Sequence, residues 1–167
     1  PAAFLMDDTL VNVQCFGQST GSIDLTITGG SQPYAYAWTG PNGFTATTQD
    51  LLNIPSGVYN VVVTDFNGCT LTGSYFISQP TSEAVMTATV NDILCYGATT
   101  GWINASVVGG ALPYQYFWQA PNGSLAGTTE DLFGIGAGWY ELFVTDANGC
   151  VTSDSVLVNS PAMISPN

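Results

Sequence analysis

The chain has 167 residues, twelve of them acidic and none Lys, Arg or His, which gives a formal net charge of −12. Ordinary usage of about 25% charged residues would supply roughly twenty basic side chains in this length. Their absence excludes nucleic-acid binding, which needs cations to replace counterions, and excludes docking on anionic lipid through a basic patch. Side-chain salt bridges are excluded as well, so cohesion rests on burial, hydrogen bonds and cross-links. No segment approaches the ~20 consecutive apolar residues of a membrane helix, so no membrane insertion is expected. The start at Pro1 without an initiator Met reads as a processed product or an excerpt.

Taken in order, the chain alternates with a period of two. Ile23, Leu25 and Ile27 interleave with polar residues, Tyr34, Tyr36 and Trp38 share one face of the next strand, and Tyr59, Val61 and Val63 share a face of a later one. Turn signals every eight to twelve residues and the lack of any useful amphipathic helix predict a β-sandwich. Ile54-x-x-Gly57-x-Tyr59 has the pattern of a tyrosine corner, in which the phenol bonds back to the preceding loop; a plain core Tyr is the alternative. The segment Val63-Thr64-Asp65-Phe66-Asn67-Gly68-Cys69 then stops a β-branched run at Asp-x-Asn-Gly. Asp and Asn can bond their own backbone and Gly accepts positive φ, so a tight antiparallel turn is expected here. One carboxylate and one amide are too few for a dedicated calcium site. No metal or other cofactor is expected.

About eighty residues later the pattern begins again. Cys95-Tyr96-Gly97 answers Cys15-Phe16-Gly17, and Gly109-Gly110-x-x-Pro113-Tyr114-x-Tyr116-x-Trp118 answers Gly29-Gly30-x-x-Pro33-Tyr34-x-Tyr36-x-Trp38. Thr129-x-Asp131-Leu132 answers Thr48-x-Asp50-Leu51, and Val144 to Cys150 repeats the turn. The expected domains are residues 1–80 and 81–161, with 162–167 the start of a further repeat or a linker. Each copy holds two of the four cysteines, Cys15 and Cys69 or Cys95 and Cys150. Without His or a CxxC pair, structural disulfides are favoured over zinc, which implies an oxidising, extracellular setting. Three pairings exist. Repeat symmetry favours Cys15–Cys69 and Cys95–Cys150, one bridge per copy, each closing about 55 residues and adding roughly 4 kcal/mol in the chain-entropy model.

In this order, Cys-(Phe/Tyr)-Gly, Thr-Gly-x-Ile, Gly-Gly-x-x-Pro-Tyr-x-Tyr-x-Trp, Thr-x-Asp-Leu, Gly-x-Tyr and Val-Thr-Asp-x-Asn-Gly-Cys resemble the SprB-type repeat. That repeat recurs many times in giant surface adhesins of gliding and other Bacteroidetes bacteria. The resemblance spans essentially the whole chain, twice. It implies immunoglobulin-like or PKD-like sandwiches, type IX secretion, and display on the cell surface or in a surface filament, with a part in adhesion or gliding motility. It implies no reaction.

Catalytic residues are not expected. Ser and Thr lack a general base, and the remaining option, a carboxylate pair as in glycoside hydrolysis, has only Asp7-Asp8, Glu130-Asp131 and Asp50 to draw on. Neighbours in sequence on a strand point to opposite faces, poor geometry for a shared substrate, so these read as a solvated loop. The copies differ more tellingly at outward positions. Ala37, Val58 and Val62 of the first become Phe117, Trp139 and Phe143 of the second, an expected apolar patch, while Trp102 replaces Ser22 on the opposite sheet. Such a patch packs on another repeat or copy of the protein, stacks on a surface glycan, or lies under a loop of its own domain. Thr9 and Ser155 stand in Asp-(Ser/Thr)-aliphatic tripeptides that resemble Bacteroidetes O-glycosylation sites. Asn104 and Asn122 stand in formal N-glycosylation sequons. The expectation is a structural, adhesive repeat of a long secreted surface protein; the alternative is an accessory carbohydrate-binding module of a secreted polysaccharide-degrading enzyme.

Overall fold

Strands with one apolar and one polar face must pair into sheets and bury the apolar side against a second sheet. The computed structural model, which describes residues 3–164, does this twice, in two compact units, Pro1–Pro80 and Thr81–Asn167. The first unit contains β1 (Leu5–Val11), β2 (Gly21–Thr28), β3 (Ala35–Thr39), β4 (Thr45–Ala46), β5 (Leu51–Ile54), β6 (Gly57–Thr64) and β7 (Thr70–Ile77). One sheet runs β1-β2-β5 and the other β4-β3-β6-β7, with every pairing antiparallel. The second unit repeats the plan with β8 (Val85–Asn91), β9 (Gly101–Val108), β10 (Gln115–Gln119), β11 (Leu125–Gly127), β12 (Leu132–Ile135), β13 (Gly138–Thr145) and β14 (Val151–Val158). Its sheets are β8-β9-β12 and β11-β10-β13-β14. The short fourth strand thus joins the sheet of the third strand, whereas a constant-type immunoglobulin domain places it beside the fifth. The fold class is all-β: two immunoglobulin-like sandwiches.

The period-two residues are the core. Ile23, Leu25, Tyr59, Val61 and Val63 are essentially inaccessible in the first unit, as are Ile103, Leu142 and Val144 in the second. Trp38 and Trp118 fill the centre of each sandwich, and each indole N–H is satisfied: Trp38 Nε1 donates to Thr48 O at 2.9 Å, Trp118 Nε1 to Thr129 O at 3.1 Å. Both corners are formed. Tyr59 Oη donates to Pro55 O at 2.9 Å and Tyr140 Oη to Gly136 O at 3.2 Å. Gly21 lies close to the facing sheet, since a Cβ there would stand 2.7 Å from the Ile77 side chain and 2.9 Å from Ile54 O of its own sheet. Among the described residues no buried side-chain polar atom lacks a hydrogen-bond partner.

Strand direction corrects the expected disulfides. In the first unit, Val13 N–H donates to Ser78 O and Gly17 N–H to Gln79 Oε1, so the β1–β2 loop carrying Cys15 lies where the unit's chain ends, its trailing end. Cys69 lies in the β6–β7 turn, at the leading end, where Ser31 N–H meets Asp65 Oδ2. The eight residues of β7 separate the two ends, and at ~3.4 Å per residue they span about 25 Å. A disulfide requires Cα atoms within about 7 Å, so Cys15 cannot reach Cys69. The same holds in the second unit. Ile93 N–H donates to Asn159 O beside the Cys95 loop, while Cys150 opens β14 at its other end. Cys15 and Cys150 are disulfide-bonded, whereas Cys69 and Cys95 are exposed free thiols. The pairings Cys15–Cys69 and Cys95–Cys150 are therefore not those present, and neither unit carries an internal bridge.

No helix among the described residues is long and apolar enough to cross a membrane. Of the segment 162–167, residues 162–164 form no regular structure, and 165–167 lie outside the described residues.

Candidate contact surface

The outward face of the second unit's four-stranded sheet is set by register. On β10 and β13, Phe117 stands opposite Phe143, and their ring centroids are 6.0 Å apart at 57°. Trp139 lies four residues before Phe143 on the same face, opposite Leu157 of β14. Glu141, paired with Gln119 and Ser155, stands between them. The side chains of Phe117 and Trp139 are 44% and 59% accessible, so no loop of the unit covers them. In the first unit the same positions hold Ala37, Val58 and Val62, a flatter apolar surface.

Around Trp139 the face dips into an open cleft of about 480 Å³, lined by Gln119, Pro121, Gly138, Trp139, Glu141 and Ser155. Gln119 is steadied by a 3.2 Å bond from Nε2 to Gly123 O. The cleft therefore offers one aromatic plane, a carboxylate, an amide and a hydroxyl. Its polar members were outward positions in the sequence, but nothing in spacing alone says that residues of β10, β13 and β14 converge.

Trp102 lies on the three-stranded sheet, half-buried and opposite Phe133, which is 69% accessible. Comparing the copies does not reveal Phe133, because its counterpart Leu52 is also apolar and also exposed. Thr9 sits exposed on β1, an edge strand, and Ser155 is exposed on β14, also an edge strand. Asn104 and Asn122 are exposed as well.

Two of the candidate catalytic carboxylates, Asp50 and Asp131, serve the fold. Asp50 Oδ1 accepts Leu25 N–H at 2.9 Å, and Asp131 Oδ1 accepts Ala105 N–H at 3.0 Å, tying each Thr-x-Asp-Leu loop across to the neighbouring strand. Asp65 and Asp146 are buried inside the repeated turn. Asp65 Oδ1 accepts Asn67 and Cys69 N–H, and Oδ2 accepts Ser31 N–H. Asp146 does the same with Asn148, Cys150 and Ala111. Burial opposes ionisation in both, but the backbone donors outweigh it and hold both carboxyls below the usual carboxylate range. Burial, followed by the charge of Glu130, raises the Tyr116 phenol above its ordinary value.

Among solved structures, similar folds include an amphioxus IgVJ-C2 molecule, 13% identical over 84% of this chain and 97% of that one, with a TM-score of 0.39. Murine CEACAM1b is 12% identical over 94% and 100%, TM-score 0.36. The BSP domain of a biofilm-associated protein is 13% identical over 96% of this chain and 30% of its own, TM-score 0.30. No curated protein matches the chain in sequence. The family model of the SprB repeat, a repeat that occurs in surface-exposed proteins, matches residues 8–43 and again 87–123, the stretch from the first strand of each unit through its Gly-Gly-x-x-Pro-Tyr-x-Tyr-x-Trp motif, so one segment of each unit is similar to the SprB repeat.

Proposed function

We propose that the chain is a structural and adhesive repeat segment of a long secreted surface protein, in which each sandwich is a spacer and its outward faces make the contacts. The single observation that carries this is the SprB repeat matched once in each unit. Asp50, Asp65, Asp131 and Asp146 all accept backbone N–H groups. Such a segment works mechanically: tandem β units supply length, and the differing outer faces of successive copies supply specificity. Type IX export, gliding motility and a filament or lateral assembly with other copies belong to the same reading. Immunogold labelling of intact cells with antibody against this chain tests it. Surface or fibre labelling is expected; labelling confined to permeabilised cells overturns it.

A second reading is favoured by the Trp139 cleft. An accessible indole beside Gln119, Glu141 and Ser155 suits stacking and hydrogen bonding to a sugar ring, as in an accessory carbohydrate-binding module. Retention of the chain on glycan arrays, abolished by Trp139→Ser but not by Val58→Ser, supports it. An array without signal removes it.

A further inference from the structure

We propose that Cys69 and Cys95 are half-links: each forms a disulfide with a cysteine of a further copy of the repeat, a turn cysteine of one copy joining a loop cysteine of another. The inference goes beyond the function proposed above and holds whether the array serves adhesion or glycan retention.

Cys69 occupies in the first repeat the position that Cys150 occupies in the second, directly after the Asp-x-Asn-Gly turn; Cys95 occupies the position of Cys15. Cys15 and Cys150 are disulfide-bonded. One cysteine of each kind is thus already oxidised, and one of each kind remains as a thiol. Neither remaining thiol can find its mate inside its own unit, because the loop position and the turn position lie at opposite ends of the sandwich, about 25 Å apart along the last strand. Both are exposed, as an intermolecular link requires.

The surroundings of both thiols fit a protein partner. Cys69 N–H is held by Asp65 Oδ1 at 2.8 Å, which anchors its backbone in the turn. Cys95 lies between Leu94, 87% accessible, and Tyr96, 58% accessible, at an apolar notch of about 340 Å³ completed by Pro161, Ala162 and Ile164. The chain holds no Lys, Arg or His that could serve either sulfur as a catalytic partner. A cross-link formed once, in an oxidising compartment, is the chemistry they suit.

The reaction balances with a disulfide as oxidant. The thiolate of Cys69 attacks one sulfur of oxidised glutathione and expels one glutathione thiolate. The thiolate of Cys95 from another copy attacks the resulting mixed disulfide and expels the second. One protein disulfide forms, the reagent disulfide is reduced to two thiols, and the two protons lost by the cysteines end on those thiols. In the cell a disulfide-carrying oxidoreductase fills the same role.

The test uses the 167-residue chain equilibrated in a reduced/oxidised glutathione buffer and run on non-reducing gels. The wild-type chain should give a ladder of multimers that collapses on reduction. Cys69→Ser and Cys95→Ser alone should each remain monomeric, while a mixture of the two should give a dimer and stop there. Mapping after cleavage at acidic residues should show Cys69 joined to Cys95; the absence of Lys and Arg makes trypsin useless here. Persistence of both thiols in the wild-type chain would overturn the proposal, as would a monomer with no titratable thiol. Homodimers from either single variant as abundant as those from the mixture would overturn it too. On native full-length protein, links within one polypeptide leave the unreduced mass at that of one chain, and links between polypeptides multiply it.

Discussion

The Asp65 carboxylate accepts the backbone N–H of Cys69 at 2.8 Å, and Asp146 repeats the bond to Cys150 at 3.0 Å. Each acid also reaches across to the loop between the second and third strands of its unit, at Ser31 or Ala111. The turn is therefore an electrostatic clamp in which backbone dipoles do the work that basic side chains do elsewhere. Because the folded carboxyls titrate below their unfolded values, their contribution is fully present above about pH 4 and is lost as pH falls through the lower folded value. Asp65→Asn and Asp146→Asn should each lower the unfolding midpoint at neutral pH. The difference from wild type should shrink as the pH is taken below 4, which chemical denaturation across a pH series will measure.

The corner tyrosines give a second expectation. Removing the hydroxyl in Tyr59→Phe leaves Pro55 O without its 2.9 Å partner while keeping the ring in the core and against Phe44. A loss of about 1 kcal/mol is expected, the usual net value of such a bond. The change at Tyr140, whose bond to Gly136 O is longer at 3.2 Å, should be no larger. Urea unfolding of the two variants checks both.

How far the sequence could be read depends on what is local. Alternation placed Ile23, Leu25, Val61 and Val63 in the core because a strand's faces follow from residue parity alone. The corner at Tyr59 was legible because donor and acceptor are four residues apart. The partners of Asp50 and Asp65 were not, since Leu25 and Ser31 are brought to them by sheet pairing across 25 and 34 residues. The cysteine pairing failed for a different reason. Alignment of the copies establishes which cysteines are equivalent but says nothing about which end of the sandwich each occupies. Counting strands would have settled it: in an antiparallel sandwich successive connections alternate ends, so the loop after the first strand and the turn after the sixth lie apart.

The aromatic face should separate function from stability. Phe117 and Phe143 pack at a tilt on the outer surface, and an aromatic pair adds about 0.5–1.5 kcal/mol beyond its burial. Phe143, half-buried, would lose that pair term and part of its burial as Ser, about 1–3 kcal/mol together, and Trp139→Ser, at a more exposed site, should cost less. If the face is a contact surface, both variants should keep their β-sheet circular dichroism while lateral assembly or glycan retention is lost. Unchanged assembly and unchanged retention together would assign the contacts elsewhere, first to Trp102 and Phe133 on the other sheet.

The free cysteines make the sharpest contrast with a bridge inside each repeat. Closing a loop of about 55 residues would stabilise a unit by roughly 4 kcal/mol, so replacing one member of such a bridge would unfold a sandwich of this size or nearly so. The geometry instead leaves Cys69 and Cys95 as exposed thiols with no mate in their own unit. Cys69→Ser and Cys95→Ser should then shift stability by no more than about 0.5 kcal/mol, as expected of exposed positions. Urea denaturation of the monomeric chain, with the wild type and both variants at equal concentration, measures the difference. A loss of several kcal/mol in either variant would mean that the unit holds its own bridge after all, and that the strand order placing the two cysteines at opposite ends is wrong.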